Sequence, residues 1–289
     1  MQDPMSERAV LETFDDLAQR QFIVYGETEA VLCADGGFPF QFRICPALAR
    51  KPQLQDAPDD NKPTRTFGPG SDLEFADDKL LLGTVNETHH LVLNKFCVFR
   101  PQYVLLTADS FRRQDEPLSL ADFDAVVAAW NRLSGPHYAL YNCMEAAGSS
   151  RVHKHLQLFT HPADFTLFPD RPDAHAAKVP FRYFLRRFGP ATPSAQLLLD
   201  AYHSLLSEAK QALGVSVEAS ACPHNVVLVK EWMLVIPRRR SNVDGASANG
   251  AGMMGMVWVT DEERLQQWKA LGPARILSQL GVARDEATS

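Results

Sequence analysis

The apolar stretches of this chain come in neighbouring pairs, and this spacing restricts the folds that it can adopt. "HHLVLNKFCVF" and "QYVLLTAD" are joined around Arg100-Pro101, "HYALYNC" and "RVHKHLQLFT" are separated by "MEAAGSS", and "HNVVLVKEWMLVIPRR" supplies two more short strands. Short connections join antiparallel strands, whereas parallel strands need long crossovers. Helical spacing predicts helices between these groups, over about Ser6 to Gln21, from Ser119, and over Ser194 to Leu213. We therefore expect an α+β fold, with a mainly antiparallel sheet flanked by helices, and not a doubly wound parallel sheet.

Charge and composition narrow the class of protein. The 289 residues carry 29 Lys and Arg against 35 Asp and Glu, a formal net charge of -6, so no overall basic field favours nucleic acid or anionic membranes. The sequence contains no apolar run of about 18 residues and no signal-peptide pattern. Its five cysteines are widely spread and lack any CxxC spacing, which argues against a disulfide framework. We expect a cytoplasmic globular protein.

The stretch "GSSRVHKHLQLF", from Gly148 to Phe159, contains the candidate catalytic residues. Side chains alternate between the faces of a strand, so His153, His155 and Gln157 share one face while Lys154 lies on the other. Lys154 is therefore interpreted as structural.

Three interpretations of the two histidines are open. They can be ordinary histidines that happen to stand two apart, which is the common outcome for a short motif. They can share a zinc ion, although no further ligand stands at a recognisable spacing. One imidazole can also act as a nucleophile toward phosphorus, with glycine N–H groups, serine hydroxyls and a glutamine amide stabilising the phosphoryl oxygens. The last interpretation alone gives a role to the neighbouring glycine, serines and glutamine.

The segment "YNCMEAAGSSRVHKHLQLF" resembles the active-site segment of the fungal-type ATP adenylyltransferases, also called diadenosine tetraphosphate phosphorylases, of the histidine triad superfamily. The resemblance extends through "CPALARKP", "HHLVLNKFCVF", "NVVLVKEWMLVIPR" and "GPARILSQLGV", so it covers most of the chain from about Cys45 to Val282. It implies a histidine-triad-like fold. It also implies a catalytic region over residues 1–215 and an extension over 216–289 on the same core.

The resemblance assigns roles to individual residues. His155, the second histidine of HxHxQ, is implied to take up AMP covalently, and glutamine at position 157 favours a transferase over a hydrolase. The implied catalytic residues are His155, Gln157 and His153. The implied substrate-binding residues are Lys51, Asn94, Asn142, Gly148, Ser149, Ser150, Ser247 and Asn249. One arginine of the run from Arg238 to Arg240 can also face phosphate, although such a run is normally solvated.

The implied reaction is phosphorolysis of diadenosine tetraphosphate to ATP and ADP, and its reverse, through an AMP-histidine intermediate. The partners are then small nucleotides and phosphate, with the oligomeric state left open. Two alternatives remain. A transferase of the galactose-phosphate uridylyl type normally has prolines between its histidines, where this chain has Lys154 and Leu156. A nucleotide-binding sensor would keep the pocket without turnover.

Two further expectations concern the polyphosphate. A divalent cation, magnesium, is expected to shield it, because the chain is acidic and has few clustered lysines, and no protein-held metal is expected. The polar, proline-rich segment from Pro52 to Ser71 follows Lys51 and is expected to order over the bound nucleotide, excluding water from the intermediate.

Overall fold

The computed structural model of the protein describes residues 6–50, 65–75, 77–171 and 178–284. Within these ranges, the longer helices are α1 (Glu7–Gln19), α2 (Leu120–Arg132), α3 (Ala195–Leu213), α4 (Gly250–Met253), α5 (Glu262–Leu271) and α6 (Pro273–Leu280). The strands are β1 (Glu29–Asp35), β2 (Phe38–Ile44), β3 (Arg65–Thr66), β4 (Glu74–Phe75), β5 (Leu81–Thr84), β6 (His89–Leu93), β7 (Gln102–Thr107), β8 (His137–Cys143), β9 (His155–Thr160), β10 (Phe184–Arg187), β11 (His224–Leu228), β12 (Trp232–Pro237), β13 (Asn242–Val243), β14 (Ala246–Ser247) and β15 (Met256–Val259).

One large sheet dominates the architecture. Its eight strands lie in the order β10-β12-β11-β8-β9-β7-β6-β5, and every neighbouring pair is antiparallel. A second sheet, β1-β2-β15, contains one parallel pair, between β2 and β15. The prediction of an α+β fold with a mainly antiparallel sheet is confirmed.

The two faces of the large sheet pack against different layers. Leu156 and Leu158 lie in a core that the sheet shares with α1, α2 and α3, whereas Phe159 lies in a second core with β2, β15, α5 and α6. The alternation along β9 therefore assigns its side chains to two different cores. His155 and Gln157 share the face of Phe159.

The helix ends follow the capping residues of the sequence. Ser194 caps α3 by accepting a hydrogen bond from Leu197 N, and Gly214 ends it in the left-handed conformation with φ 69°. Ser119 and Asp122 form a capping box at the start of α2. Both boundaries agree with the predicted ones, because the caps satisfy backbone groups that the helix leaves unpaired.

The segment "SNVDGASANGAGMMG" departs from the surface loop that its small residues would favour. It forms the β13–β14 hairpin and then α4, whose four residues are all buried. Glycine is needed there because a Cβ on Gly250 would lie 2.3 Å from Leu140 Cδ1. Tight packing against β8 thus explains the small residues.

Strands from both sides of the predicted boundary between residues 215 and 216 join the same sheet, since β8 pairs with β11. The division itself stays a prediction. Across the described ranges, no helix is both long and apolar enough to cross a membrane.

Candidate active site

His155 lies at the start of β9, where it pairs with Leu106 of β7. Its ring Nδ1 lies 2.8 Å from the carbonyl oxygen of His153. Because a carbonyl only accepts, Nδ1 carries the hydrogen, and in the neutral ring the lone pair is on Nε2. The backbone therefore selects the tautomer in which Nε2 can act as a nucleophile.

His153 has a different role, because both of its ring nitrogens are engaged. Nε2 donates to the carbonyl oxygen of Thr107 at 3.0 Å, and Nδ1 accepts from the Ser71 hydroxyl at 2.8 Å. The side chain is fully buried, and burial lowers its pKa, which keeps the ring neutral near pH 7. The carbonyl oxygen of His153, and not its ring, therefore contacts the ring of His155.

The zinc interpretation finds no support in this geometry. The ring of His153 has no nitrogen left for a metal, and among the described residues no group of three or more His, Cys, Asp or Glu side chains could hold a metal ion.

Gln157 is oriented by a neighbouring glutamine. Its Oε1 accepts a 3.0 Å hydrogen bond from Gln102 Nε2, and Gln102 Oε1 in turn accepts from Val98 N at 3.1 Å. With its oxygen engaged, Gln157 presents its NH2 group as a donor, as the predicted role requires. The sequence reasoning did not identify Gln102.

Gln114 is a second residue that the sequence reasoning missed. Its Oε1 accepts from His155 N at 2.8 Å, while its Nε2 donates to the carbonyl oxygens of His155 and Asn142, both at 3.0 Å. The side chain is 4% exposed. One amide thus fixes the backbone of the nucleophile and joins β8 to β9 where these strands separate.

Lys154 points to the opposite face, as the alternation predicts. Its ammonium group is fully buried and lies 2.8 Å from Asp122 Oδ2, and it also donates to Pro117 O at 2.7 Å. Burial raises the pKa of Asp122, but hydrogen bonds from His89, Lys154 and Ser119 and the charge of Lys154 outweigh it and lower the pKa well below its usual range. This buried ion pair is structural.

Gly148 ends the short 3-10 helix Glu145–Ala147 and leads into Ser149 and Ser150. Gly148 has φ 84°, and a Cβ there would lie 2.8 Å from Asn249 Cα, so only glycine fits. The Ser149 hydroxyl donates to Arg151 O at 2.9 Å. The Ser150 hydroxyl has no hydrogen-bond partner in the part of the chain that the structure describes, and it is available to a ligand.

Asn142 ties two segments together. Its Oδ1 accepts from Asn225 Nδ2 at 2.8 Å and from Gly250 N at 3.0 Å. Asn225 also donates to Ala147 O at 2.8 Å. Of the two predicted roles, contact with phosphate or orientation of the loop, the hydrogen bonds favour orientation.

Arg238 departs from the solvated charge run in which it stands. Arg239 and Arg240 are exposed, but Arg238 is fully buried and donates to Asn225 Oδ1 at 2.6 Å. The side chain turns inward because β12, which ends at Pro237, is a buried strand.

The remaining predicted substrate-binding residues within the described ranges are Asn249, Ser247 and Asn94, and each has a local structural contact. Asn249 caps α4 by accepting from Ala251 N and Gly252 N, and the exposed Ser247 pairs with Asn242 in the hairpin. Asn94 Oδ1 accepts from Phe96 N at 3.2 Å, which is the turn-closing role that also fits its position after β6.

Lys51 and residues 52–64 of the predicted lid lie outside the described residues. The end of that segment borders the site, because Ser71 contacts His153 and the adjacent Asp72 accepts from Val152 N and His153 N, both at 2.9 Å. The lid itself stays a prediction.

The chain is similar to known proteins over most of its length. The family described as "Ap4A phosphorylase N-terminal domain" matches residues 6–172, and the "ATP adenylyltransferase C-terminal domain" matches residues 177–283. Two Saccharomyces cerevisiae proteins, Protein APA1 and Diadenosine 5',5'''-P1,P4-tetraphosphate phosphorylase 2, are each 28% identical to this chain. The first alignment covers 78% of this chain and 77% of the relative, and the second covers 77% of each.

Solved structures show the same fold. The crystal structure of yeast Ap4A phosphorylase Apa2 superposes with a TM-score of 0.77 at 22% identity, covering 99% of this chain and all of that one. Its complex with Ap4A gives a TM-score of 0.75 at 21% identity, with the same coverage.

Proposed function

The chain belongs to the Ap4A phosphorylase and ATP adenylyltransferase family, and on this premise we propose that it phosphorolyses diadenosine tetraphosphate to ATP and ADP. In the first step, Nε2 of His155 attacks the phosphorus of one AMP unit, and the bond from that phosphorus to the bridging oxygen breaks, releasing ATP. In the second step, an oxygen of inorganic phosphate attacks the same phosphorus. The P–N bond breaks, ADP leaves and the imidazole is restored.

The observation that carries the proposal is the tautomer of His155. The hydrogen bond from Nδ1 to the carbonyl oxygen of His153 leaves the lone pair on Nε2, and Gln114 fixes the backbone of the same residue. A neutral imidazole needs no separate base to attack phosphorus, because its unperturbed pKa of about 6.5 lies near neutral pH. The site supplies a preoriented nucleophile.

The donors around His155 suit a phosphoryl centre. Gln157 presents an amide N–H and Ser150 a hydroxyl, and in this proposal both donate to the phosphoryl oxygens on which charge develops. The leaving polyphosphate carries its charge on its own oxygens, so a strong general acid is not required. The absence of a carboxylate among the predicted catalytic residues fits this chemistry.

A divalent cation, magnesium, is part of the proposal. The described residues offer no cluster of three or more ligating side chains, and magnesium characteristically binds phosphate oxygens and water. We expect the cation to enter with the nucleotide and to shield its charge. Turnover should fall in excess chelator and return when magnesium is added back, and full activity in chelator would contradict this expectation.

The competing functions differ in their products. A uridylyl transferase of the galactose-phosphate type would use a sugar phosphate as acceptor and leave the dinucleotide untouched. A sensor would bind it without cleavage. Lys154, which stands where the uridylyl transferases normally carry proline, forms the buried ion pair with Asp122 and so has a structural use here.

The direct test is incubation of the protein with diadenosine tetraphosphate, with and without phosphate, followed by separation of the nucleotides. ATP and ADP should appear only with phosphate. ATP and AMP without phosphate would indicate a hydrolase, and unchanged substrate would favour the sensor.

A pair of variants then assigns the chemistry to His155. His155→Asn should abolish adenylylation of the protein. His161→Asn is the matched control, because His161 lies just beyond the far end of β9 and pairs with Asp170 at 2.9 Å. Full phosphorolysis by the His155 variant would exclude the proposed intermediate.

A further inference from the structure

Arg238 is a buried cation that has no protein counter-ion among the described residues. Its five N–H groups donate to five neutral oxygen atoms. These are Leu280 O at 3.3 Å, Ala147 O at 3.2 Å, Asn225 Oδ1 at 2.6 Å, Arg240 O at 3.0 Å and Ala248 O at 2.8 Å. Burial lowers the pKa of Arg238 to about 9, which still leaves the guanidinium charged at neutral pH. A buried charge without a counter-ion is energetically unfavourable, so we expect a bound anion to compensate the charge of Arg238.

The position of this charge suggests what the partner is. Ala147 directly precedes Gly148, and Ala248 stands between Ser247 and Asn249, so Arg238 lies beneath both segments that border the site. The two segments touch each other, since a Cβ on Gly148 would lie 2.8 Å from Asn249 Cα. One guanidinium therefore holds together the two segments that carry most of the predicted substrate-binding residues.

The hydrogen bonds also set the direction of backbone donors. In a trans peptide the N–H points away from the preceding carbonyl, so the bond from Arg238 to Ala248 O directs the N–H of Asn249 away from the guanidinium. Within the described residues, neither this N–H nor the Ser150 hydroxyl has a protein acceptor. Two donors without a protein acceptor therefore belong to the two segments that the buried cation holds together.

We propose, resting on the function proposed above, that Arg238 is a positioning residue whose charge is compensated by the polyphosphate of the bound nucleotide. The guanidinium does not touch the phosphates, because all five of its N–H groups are already bonded to the protein. It fixes the two segments and adds a preorganised positive potential in a region of low dielectric constant. The affinity for an adenosine ligand should therefore depend on Arg238 only to the extent that the ligand carries phosphate charge.

Calorimetric titration of the full-length protein with adenosine, AMP and ATP in phosphate-free buffer tests this. Arg238→Gln should lower the ratio of ATP to adenosine affinity on the order of tenfold, as expected for one unit charge acting over about 10 Å at an effective dielectric constant of about 20. Arg239→Gln is the matched control, because it removes an exposed positive charge from the neighbouring residue and should leave the ratio unchanged.

A second variant changes the charge without removing the guanidinium. Asn225→Asp keeps the size of the side chain and places a carboxylate on the atom that accepts from Arg238 at 2.6 Å. It also loses the hydrogen bonds from Asn225 Nδ2 to Asn142 Oδ1 and Ala147 O, so the readout is the ratio of ATP to adenosine affinity and not either affinity alone. This internal counter-ion should also reduce the affinity for ATP relative to adenosine. Circular dichroism shows which variants fold, and either folded variant is sufficient for the comparison.

Two results would overturn the inference. The wild-type protein could bind ATP no better than adenosine, or the ratio could stay unchanged in a folded variant. An unchanged ratio with equal losses of both affinities would indicate a purely structural arginine. Because binding is measured without turnover, failure of phosphorolysis alone would refute the proposed function and leave the role of Arg238 standing.

Discussion

Gln114 offers the sharpest test of how the fold positions the nucleophile. Gln114→Ala removes the acceptor of His155 N–H and the donor to the carbonyl oxygens of His155 and Asn142. An unsatisfied buried polar group costs about 1–3 kcal/mol, and water can enter the vacated space to satisfy part of the set. We therefore expect the free energy of unfolding to fall by about 3 kcal/mol, which for a chain of 289 residues corresponds to a decrease in Tm of about 5 °C.

The same substitution should reduce turnover in the folded protein. Without the amide, the backbone of His155 can shift, and a misplacement of about 1 Å can cost about 100-fold in rate. We expect kcat for phosphorolysis to fall about 10- to 100-fold, with a smaller change in KM, because Gln114 is not expected to touch the nucleotide.

Calorimetric melting and steady-state kinetics measure the two effects of this substitution. Gln196→Ala is the control, since Gln196 is exposed on α3 and hydrogen-bonds Asp200. If Gln114→Ala keeps the Tm and kcat of the wild-type protein, then this amide does not position His155 and the reasoning is wrong.

Three further predictions follow from the same structure. Gln157→Ala should lower kcat about 10²- to 10³-fold without unfolding the protein, the effect of losing one transition-state donor, and unchanged kcat would exclude its amide from that role. Burial lowers the pKa of His224 from 6.5 to about 4. The ring is neutral in both the folded and the unfolded protein above about pH 6.5, so His224 does not change the free energy of unfolding there. As the pH falls toward 4, only the unfolded protein takes up the proton, and about 3 kcal/mol of stability should be lost. Urea unfolding at several pH values measures this loss. If the free energy of unfolding falls as steeply with pH in His224→Leu as in the wild-type protein, other groups cause the pH dependence. Lys154→Met should cost about 3–5 kcal/mol by removing the ammonium group that neutralises the buried Asp122 carboxylate, while the folded fraction keeps its kcat; a large loss of kcat would instead make Lys154 part of the site.

The strand pattern determined the fold class and the faces of the active-site strand. Alternation along β9 separates His155 and Gln157 from Lys154, because successive side chains of a strand point to opposite sides, whatever the rest of the fold. Capping residues such as Ser194 and Gly214 fixed the ends of α3 for the same local reason. These features depend on neighbours in sequence and are readable there.

Short local sequence could not distinguish the two histidines. Their spacing in HxHxQ predicts the same strand face for both, yet β9 begins only at His155, and His153 is held by Thr107 and Ser71 from distant parts of the chain. The resemblance to a known family assigned His155 as the nucleophile, and the tertiary contacts supply the physical reason for that difference.

The positioning residues were decided by tertiary structure alone. Gln114 reaches His155 across 41 residues, and Asn225 reaches Asn142 across 83, so no periodicity or motif links the partners. Arg238 looks like one of three surface arginines in sequence, because the pattern of its neighbours does not reveal that the carbonyls of Ala147 and Ala248 converge on it. Local order follows from the sequence of each segment, but the convergence of donors and acceptors on a buried charge exists only once distant segments have packed together.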